Sequence, residues 1–297
     1  MAGKKKAVIS GSDGKFADFA EDLLRSIRKY DTLDFDLCFI CMGTDPKIRE
    51  IAESHCDKVF VYDDPKPPKN GNIISANELK PLLPQIFPGY DDYMWVDADV
   101  WVQNPIGFNQ VFAAAQRADL AIHPELDPHY YMQTSPSDRT RTVYRRLFSP
   151  ELAEKTIRFP MINTGVIAAR AASPIWGKWE KILKQAFAGE LGGKQDFSSD
   201  QIPLHHLVFS GELSMSPLRA INNWQCHCCL PAFLVAKQRL VVPSPPYEEI
   251  NFLHLTGELK TLEITLTGAL SGKTLLRFRD IEKVWREHAK QGAASRG

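Results

Sequence analysis

Residues 93–100 read Tyr-Met-Trp-Val-Asp-Ala-Asp-Val, so an apolar run ends in two carboxylates, Asp97 and Asp99. The apolar run predicts a buried strand, because short runs of this kind are typical of the centre of a sheet. Unpaired carboxylates are costly beside a buried strand, and hard divalent cations favour carboxylate oxygens as ligands. The stretch alone leaves two interpretations open, an acidic turn and a metal site at the end of a strand.

Upstream of this stretch, predicted strands and helices alternate. Strands are predicted at Ala7–Ser10, Leu37–Met42 and Lys58–Tyr62, and apolar residues at helical spacing predict a helix from Phe16 to Tyr30. Such alternation is typical of a mostly parallel sheet flanked by helices, which binds ligands beyond the carboxyl ends of its strands. We therefore expect the first loop, Gly11–Lys15, to meet a nucleotide, although it lacks the G-x-G-x-x-G spacing.

The same alternation continues downstream. The further predicted elements are a helix at Leu79–Phe87, a strand at Arg158–Ala169, a helix at Ile175–Phe187, a helix that begins near Ser199, a strand at Asn251–Leu255 and an amphipathic helix at Lys273–His288. No internal repeat or linker divides them. We expect one domain over residues 1–289 and a flexible tail over residues 290–297.

Composition excludes some classes of function. The 297 residues include 36 basic and 36 acidic side chains, so no overall field favours binding to nucleic acid. The N-terminus does not resemble a signal peptide, and no apolar stretch is long enough to span a bilayer. We therefore expect a cytoplasmic protein without a transmembrane segment.

Two groups of cysteines and one basic cluster need an interpretation. Cys38 and Cys41 lie inside a predicted strand and are expected to be core thiols, whereas the run Cys226-His227-Cys228-Cys229 lacks the second ligand pair of most zinc sites. A basic cluster is interpreted as a solvated helix face, with docking of an anionic acceptor or peripheral contact with a membrane as the alternative. It consists of Arg139, Arg141, Arg145 and Arg146.

Four segments in order along the chain resemble the retaining glycosyltransferases of family 8, which include the glycogenins and bacterial lipopolysaccharide galactosyl- and glucosyltransferases. They are Leu82–Val100 with its Asp-x-Asp motif, Met161–Val166 (Met-Ile-Asn-Thr-Gly-Val), Ser199-Asp200-Gln201, and His254–Lys260 (His-Leu-Thr-Gly-Glu-Leu-Lys). The resemblance implies a GT-A fold, an α/β sheet that binds a nucleotide-sugar donor.

The resemblance also implies a set of donor-binding residues. Asp97, Asp99 and His254 would bind a manganese ion, with magnesium as the alternative, and the ion would carry the diphosphate of a UDP-sugar. Lys260 would reach the phosphates, and Gly257 would let the backbone approach closely. The other residues expected near the nucleotide are Asp13 and Phe16 in the first loop, Lys80 and Ala98.

Asn163, Asp200 and Gln201 are placed on the sugar side by the same resemblance, with Gln201 nearest the anomeric carbon. Because an amide is a poor nucleophile, we expect front-face attack with retention, in which Gln201 stabilises an oxocarbenium-like centre and Asp200 binds donor hydroxyls. Asp200 is also a candidate N-cap of the following helix. The expected function is transfer of a hexose, glucose or galactose, from UDP to a saccharide, a lipid-linked saccharide or a glycan.

Two departures from the family pattern leave the acceptor undefined. Thr261 follows Lys260 where many relatives have Pro-Trp, and Asn222–Cys226 matches an Asn-rich segment only loosely. Two alternatives remain, a haloacid-dehalogenase-type phosphatase and a non-catalytic protein that binds sugar nucleotides. The phosphatase motif normally ends the first strand of its fold, whereas Asp97 follows the fourth predicted strand.

Overall fold

The computed structural model describes residues 4–30, 33–63, 76–130, 138–193 and 200–294. The strands are β1 (Lys6–Ser12), β2 (Asp36–Met42), β3 (Lys58–Tyr62), β4 (Asp92–Val96), β5 (Val100–Val102), β6 (Leu120–Pro124), β7 (Ile162–Arg170), β8 (Met215–Pro217), β9 (Trp224–Gln225), β10 (Ala232–Leu234), β11 (Arg239–Val241), β12 (Phe252–His254), β13 (Ile264–Leu266) and β14 (Gly272–Thr274). The helices are α1 (Ala17–Arg28), α2 (Pro46–His55), α3 (Ala76–Leu79), α4 (Leu83–Ile86), α5 (Ile106–Ala115), α6 (Asp138–Leu147), α7 (Pro150–Thr156), α8 (Ile175–Ala188), α9 (Gln201–Phe209) and α10 (Phe278–Ala294).

Seven strands form the central sheet, in the order β3-β2-β1-β4-β7-β6-β8. All neighbouring pairs are parallel except those made by β7, which runs antiparallel to both β4 and β6. The expected mostly parallel α/β sheet flanked by helices is therefore confirmed. Because β7 runs the other way, its first residues lie beside the carboxyl ends of β4 and β6, so three strand ends meet at one edge.

A second, three-stranded sheet, β5-β12-β9, adjoins that edge. The turn after β4 leads directly into β5, which pairs antiparallel with β12 so that Val100 faces His254. On its other side β12 pairs in parallel with β9, where His254 lies opposite Gln225. The pairing places the last residue of β12 next to the turn that carries Asp97 and Asp99.

The core lies on both faces of the central sheet. One face packs large side chains such as Trp95, Trp179 and Tyr144, and the other packs Leu23 and Phe39. Cys38 and Cys41 belong to opposite faces of this core, and burial raises the pKa of each thiol to about 11. Their interpretation as core thiols is confirmed.

The predicted helix at Leu79–Phe87 is wrong as one element. In the structure α3 ends at Leu79, a 3₁₀ turn covers Lys80–Leu82, and α4 runs from Leu83 to Ile86. The physical reason is proline: Pro81 and Pro84 each lack a backbone N–H, so a continuous helix would lose hydrogen bonds at both positions.

Two further element boundaries differ from the prediction. β7 begins at Ile162, because α7 and the turn that follows it occupy the preceding residues. The last helix begins at Phe278, because Gly272–Thr274 pairs with β13, and it continues to Ala294. Of the predicted helix near Ser199, the structure describes the part from Gln201, since Ser199 lies outside the described residues.

Two observations bear on contact with a membrane. The basic cluster lies on α6, where Arg145 and Arg146 are exposed and Arg145 pairs with Glu154 at 3.8 Å. Within the described ranges, no helix has both the length and the apolar character that a bilayer crossing requires.

Candidate metal and nucleotide site

Asp97, Asp99 and His254 converge where the two sheets meet. His254 Nε2 lies 3.3 Å from Asp99 Oδ1 and 4.0 Å from Asp97 Oδ2, and one ligand atom from each residue falls within 4.8 Å of the others. Two carboxylates and an imidazole are a donor set that suits manganese or magnesium. Because 23% of the Asp97 side chain is exposed, the cluster can be reached from solvent.

Two lysines hold the carboxylates in place. Lys260 Nζ lies 2.8 Å from Asp99 Oδ2, and Lys80 Nζ lies 3.0 Å from Asp97 Oδ1. Burial raises the pKa of the Asp99 carboxyl, but His254 and Lys260 together outweigh burial and hold that pKa below its usual range. Asp99 is therefore ionised at neutral pH, the state that a metal ligand requires.

Lys80 also connects the cluster of Asp97, Asp99 and His254 to the residues predicted to contact the sugar. Its ammonium group lies 3.1 Å from Asp200 Oδ2, donates to the Thr164 carbonyl at 3.2 Å, and belongs to a side chain that is only 1% exposed. Burial lowers the pKa of Lys80, but Asp200 and Asp97 outweigh it and raise the pKa above its usual value. The sequence places Lys80 near the nucleotide; the structure places it beneath two carboxylates, as their shared counter-ion.

Asp200 and Gln201 lie at the start of α9, as the sequence predicts. Asp200 occupies the N-cap position that the sequence offers as an alternative, but its side chain makes no capping hydrogen bond and lies against Lys80 instead. The Gln201 amide lies next to the carboxyl group of Glu125; burial raises the pKa of that carboxyl group, and the hydrogen bond with Gln201 only partly opposes the increase. Asn163, at the start of β7, donates to Glu125 Oε1 at 3.2 Å.

Glu125 is a site residue that the sequence analysis did not identify. It follows β6, and burial raises the pKa of its carboxyl group, an effect that Asn163, Gln225 and Gln201 oppose. The missed signal is a carboxylate directly after an apolar strand, the same pattern that identifies Asp97.

Asn223 is a second residue that was not identified. It is fully buried and lies between Asn163 and the cluster of potential metal ligands, donating to Asn163 Oδ1 at 2.8 Å and facing His254 Nδ1 at 2.9 Å. Its only sequence signal is its place in the segment that loosely resembles an Asn-rich motif.

The first loop reaches the cluster through Phe16, whose ring centroid lies 5.1 Å from Lys260 Nζ. Asp13 caps the 3₁₀ turn that carries Phe16 by accepting from the backbone of Lys15 at 3.1 Å. Gly257 begins the 3₁₀ turn that ends at Lys260 and has a φ of 61°, a conformation that favours glycine.

Two remaining candidates lie around the cluster. Ala98 occupies the turn between Asp97 and Asp99 and is buried.

Among the described residues, the one group of three potential metal ligands is the Asp97, Asp99 and His254 cluster, so Cys226–Cys229 does not form another. Burial raises the pKa of Cys228 to about 12, which keeps its thiol protonated.

No family model matches the chain, and no curated protein is similar to it in sequence. The solved structures that are similar in fold include three glycosyltransferases. Mouse xyloside xylosyltransferase 1 in its apo form has a TM-score of 0.54 and 13% identity, over 87% of this chain and 99% of that one. The galactosyltransferase LgtC in complex with donor and acceptor sugar analogs has a TM-score of 0.54 and 13% identity, over 85% of this chain and 88% of that one.

The third similar structure is the apo form of WbbM, a bifunctional glycosyltransferase. Its TM-score is 0.54 with 14% identity, over 86% of this chain and 46% of that one. Identities this low establish the fold alone. The chain has the GT-A fold that these glycosyltransferases share.

Proposed function

We propose that this protein is a metal-dependent, retaining hexosyltransferase that resembles family 8 and uses a UDP-sugar, with glucose or galactose as the hexose. The observation that carries the proposal is the cluster of Asp97, Asp99 and His254 at the carboxyl edge of a glycosyltransferase fold, with Lys260 beside it. We treat residues 1–289 as one domain that binds the nucleotide sugar.

The chain's own residues supply distinct parts of donor binding. A divalent cation held by Asp97, Asp99 and His254 would neutralise charge on the departing diphosphate. Lys260 is 30% exposed, so its ammonium group can turn from Asp99 towards a phosphate. Lys80 stays buried beneath the cluster and fixes the orientation of Asp97. Phe16 and Asp13, on the first loop, are proposed to contact the base and ribose.

Asp200, Gln201 and Asn163 are proposed to act on the sugar. Asp200 binds donor hydroxyls, and Gln201 stabilises positive charge at the anomeric carbon. The bond from that carbon to the phosphate breaks as the acceptor oxygen approaches from the same face, and the acceptor proton leaves on the phosphate. Water-poor surroundings strengthen such polar contacts, and Asp200 is 4% exposed.

The acceptor is proposed to be a saccharide, a lipid-linked saccharide or a glycan. In support, the LgtC structure contains donor and acceptor sugar analogs on a similar fold.

Metal-dependent hydrolysis tests the proposal, because water replaces an unknown acceptor. We expect release of UDP from UDP-glucose or UDP-galactose that requires Mn²⁺ and is abolished by Asp99→Ala. Asp34→Ala, which removes a carboxylate with an 87% exposed side chain, is the matched control and should retain activity. Hydrolysis of p-nitrophenyl phosphate without turnover of either UDP-sugar would instead support the phosphatase alternative.

A further inference from the structure

A continuous series of hydrogen bonds runs from Glu125 to His254. Glu125 Oε1 accepts from Asn163 Nδ2 at 3.2 Å, Asn163 Oδ1 accepts from Asn223 Nδ2 at 2.8 Å, and Asn223 Oδ1 lies 2.9 Å from His254 Nδ1. Asn163, Asn223 and His254 are all buried, at 7%, 0% and 4% exposure. Water therefore cannot take the place of a protein partner in these hydrogen bonds, and the protein alone fixes which atom donates and which accepts.

The direction of the series is set at Asn163. The backbone N–H of Gly165 lies 2.9 Å from one end of the Asn163 amide, and because an N–H only donates, that end is the oxygen. The other end is then the NH₂ group, which donates to the Glu125 carboxyl group. Two independent contacts therefore agree on the orientation of this amide.

Asn223 transmits this orientation to the imidazole. It meets the oxygen of Asn163, so it must present its NH₂ group there and its own oxygen to His254. A carbonyl oxygen only accepts, so His254 Nδ1 must carry a proton. Nε2 is then the ring nitrogen left to bind a cation, and it is Nε2 that faces Asp99 at 3.3 Å.

We propose that Asn223, oriented by Asn163, is a positioning residue that selects the Nδ1-protonated tautomer of His254 and thereby presents Nε2 as a metal ligand. The role in metal binding rests on the proposed function. Partners that fix the tautomer of a ligating histidine typically change metal affinity by about 10–100-fold when they are removed.

Gly165 adds a steric constraint on the same ring. A Cβ atom at this position would lie 2.2 Å from His254 Cε1 and 2.6 Å from Nδ1. The ring therefore packs directly against the backbone of β7, where it cannot rotate freely. The hydrogen bond with Asn223 selects the tautomer, and packing against Gly165 holds the ring with Nε2 towards Asp99.

The proton on His254 Nδ1 can be measured directly on the wild-type protein without metal. In ¹⁵N-histidine-labelled protein we expect Nδ1 of His254 to carry a proton that exchanges slowly with water, because this proton is buried and bonded to Asn223. His254→Gln identifies the His254 signals among the eight histidines by their loss. A His254 ring without a proton on Nδ1 would overturn the proposal.

Two neighbouring asparagines provide a matched pair of variants. We expect Asn223→Ala to raise the Kd for Mn²⁺ by about 10–100-fold, measured by electron paramagnetic resonance of free Mn²⁺, with unchanged circular dichroism. Asn222→Ala removes an amide that is also buried but that bonds to Gln110 and Asn251, outside the series, and should leave the Kd unchanged.

Equal losses in the two variants, or wild-type affinity in Asn223→Ala, would contradict the positioning role. A wild-type protein that binds no Mn²⁺ but carries the Nδ1–H ring would contradict the proposed function while supporting the tautomer assignment. The two proposals can therefore fail separately.

Discussion

Lys80 is a buried ammonium group that lies between two carboxylates, 3.0 Å from Asp97 and 3.1 Å from Asp200. Lys80→Met keeps much of the side-chain volume but leaves both carboxylates without their cation. We expect a loss of about 3–5 kcal/mol in the free energy of unfolding, measured by urea denaturation. Lys184→Met, which removes an ammonium with a 74% exposed side chain from its pair with Glu180, should cost less than about 1 kcal/mol. Similar effects in both variants would show that Lys80 is not a required counter-ion.

Gln201 lies at the start of α9 next to Glu125, on the side of the site where the sugar is proposed to bind. Because its proposed contact strengthens as charge develops at the anomeric carbon, Gln201→Ala should lower kcat for UDP-sugar hydrolysis by about 10²–10³-fold. The Kd for the UDP-sugar should change by no more than about threefold, since the contact is weak in the ground state. Kinetics and calorimetry measure the two quantities; equal losses would assign Gln201 to donor binding alone.

At the scale of single residues, a site residue can be predicted when the residues next to it in the sequence form a recognisable pattern. Asp97 and Asp99 end an apolar run, and His254 precedes Gly257 and Lys260 at a fixed spacing; the structure brings Asp97, Asp99, His254 and Lys260 together.

Asn223 has no comparable local pattern. Its two partners lie 60 and 31 residues away along the chain, and its place in the site exists only after the two sheets pack together. Glu125 was missed for a simpler reason, because β6 was not predicted and its end could not be located.

At the scale of elements, α9 contains a buried histidine that makes stability depend on pH. Burial lowers the pKa of His205 to about 4, although a hydrogen bond with the Pro160 carbonyl, at 2.9 Å, opposes this shift. The unfolded chain, with an ordinary histidine pKa near 6.5, takes up a proton between pH 6.5 and 4 that the folded protein does not. Stability therefore falls as the pH decreases through that window.

For His205 the expected loss is about 2 kcal/mol between pH 7.5 and 5.0. His205→Gln removes the titrating group and should reduce the difference in unfolding free energy between the two pH values by about that amount, measured by urea denaturation. Because burial also lowers the pKa of His123 to about 4, part of the dependence should remain in the variant. An unchanged difference would show that His205 is protonated in the folded protein.

Sequence predicts elements well where one pattern decides them. The prediction for Lys58–Tyr62 coincides with β3 at both ends, because that run has clear boundaries. The two residues of β9 and the three of β5 are too short to show any periodicity and are strands only because they pair with β12. The predicted helix at Leu79–Phe87 is interrupted at its prolines, and the spacing of apolar residues does not show such an interruption.

At the scale of the whole molecule, the reversed direction of β7 assembles the site. It brings Asn163 beside the ends of β4 and β6, where Asp97 and Glu125 follow. Alternating strands and helices predict a mostly parallel sheet but not which strand is reversed, because that depends on the packing of segments far apart in the chain. The sheet type could therefore be predicted, and the meeting of these three strand ends could not.

The central claim is that the Asp97, Asp99 and His254 cluster binds a nucleoside diphosphate through a divalent cation. Calorimetry of UDP binding with and without Mn²⁺, in the wild type and in Asp99→Ala, tests it most directly. We expect binding to the wild type that requires Mn²⁺, raises the Tm by mass action, and is lost in Asp99→Ala. Equal affinity with and without Mn²⁺, or no affinity under either condition, would contradict the claim.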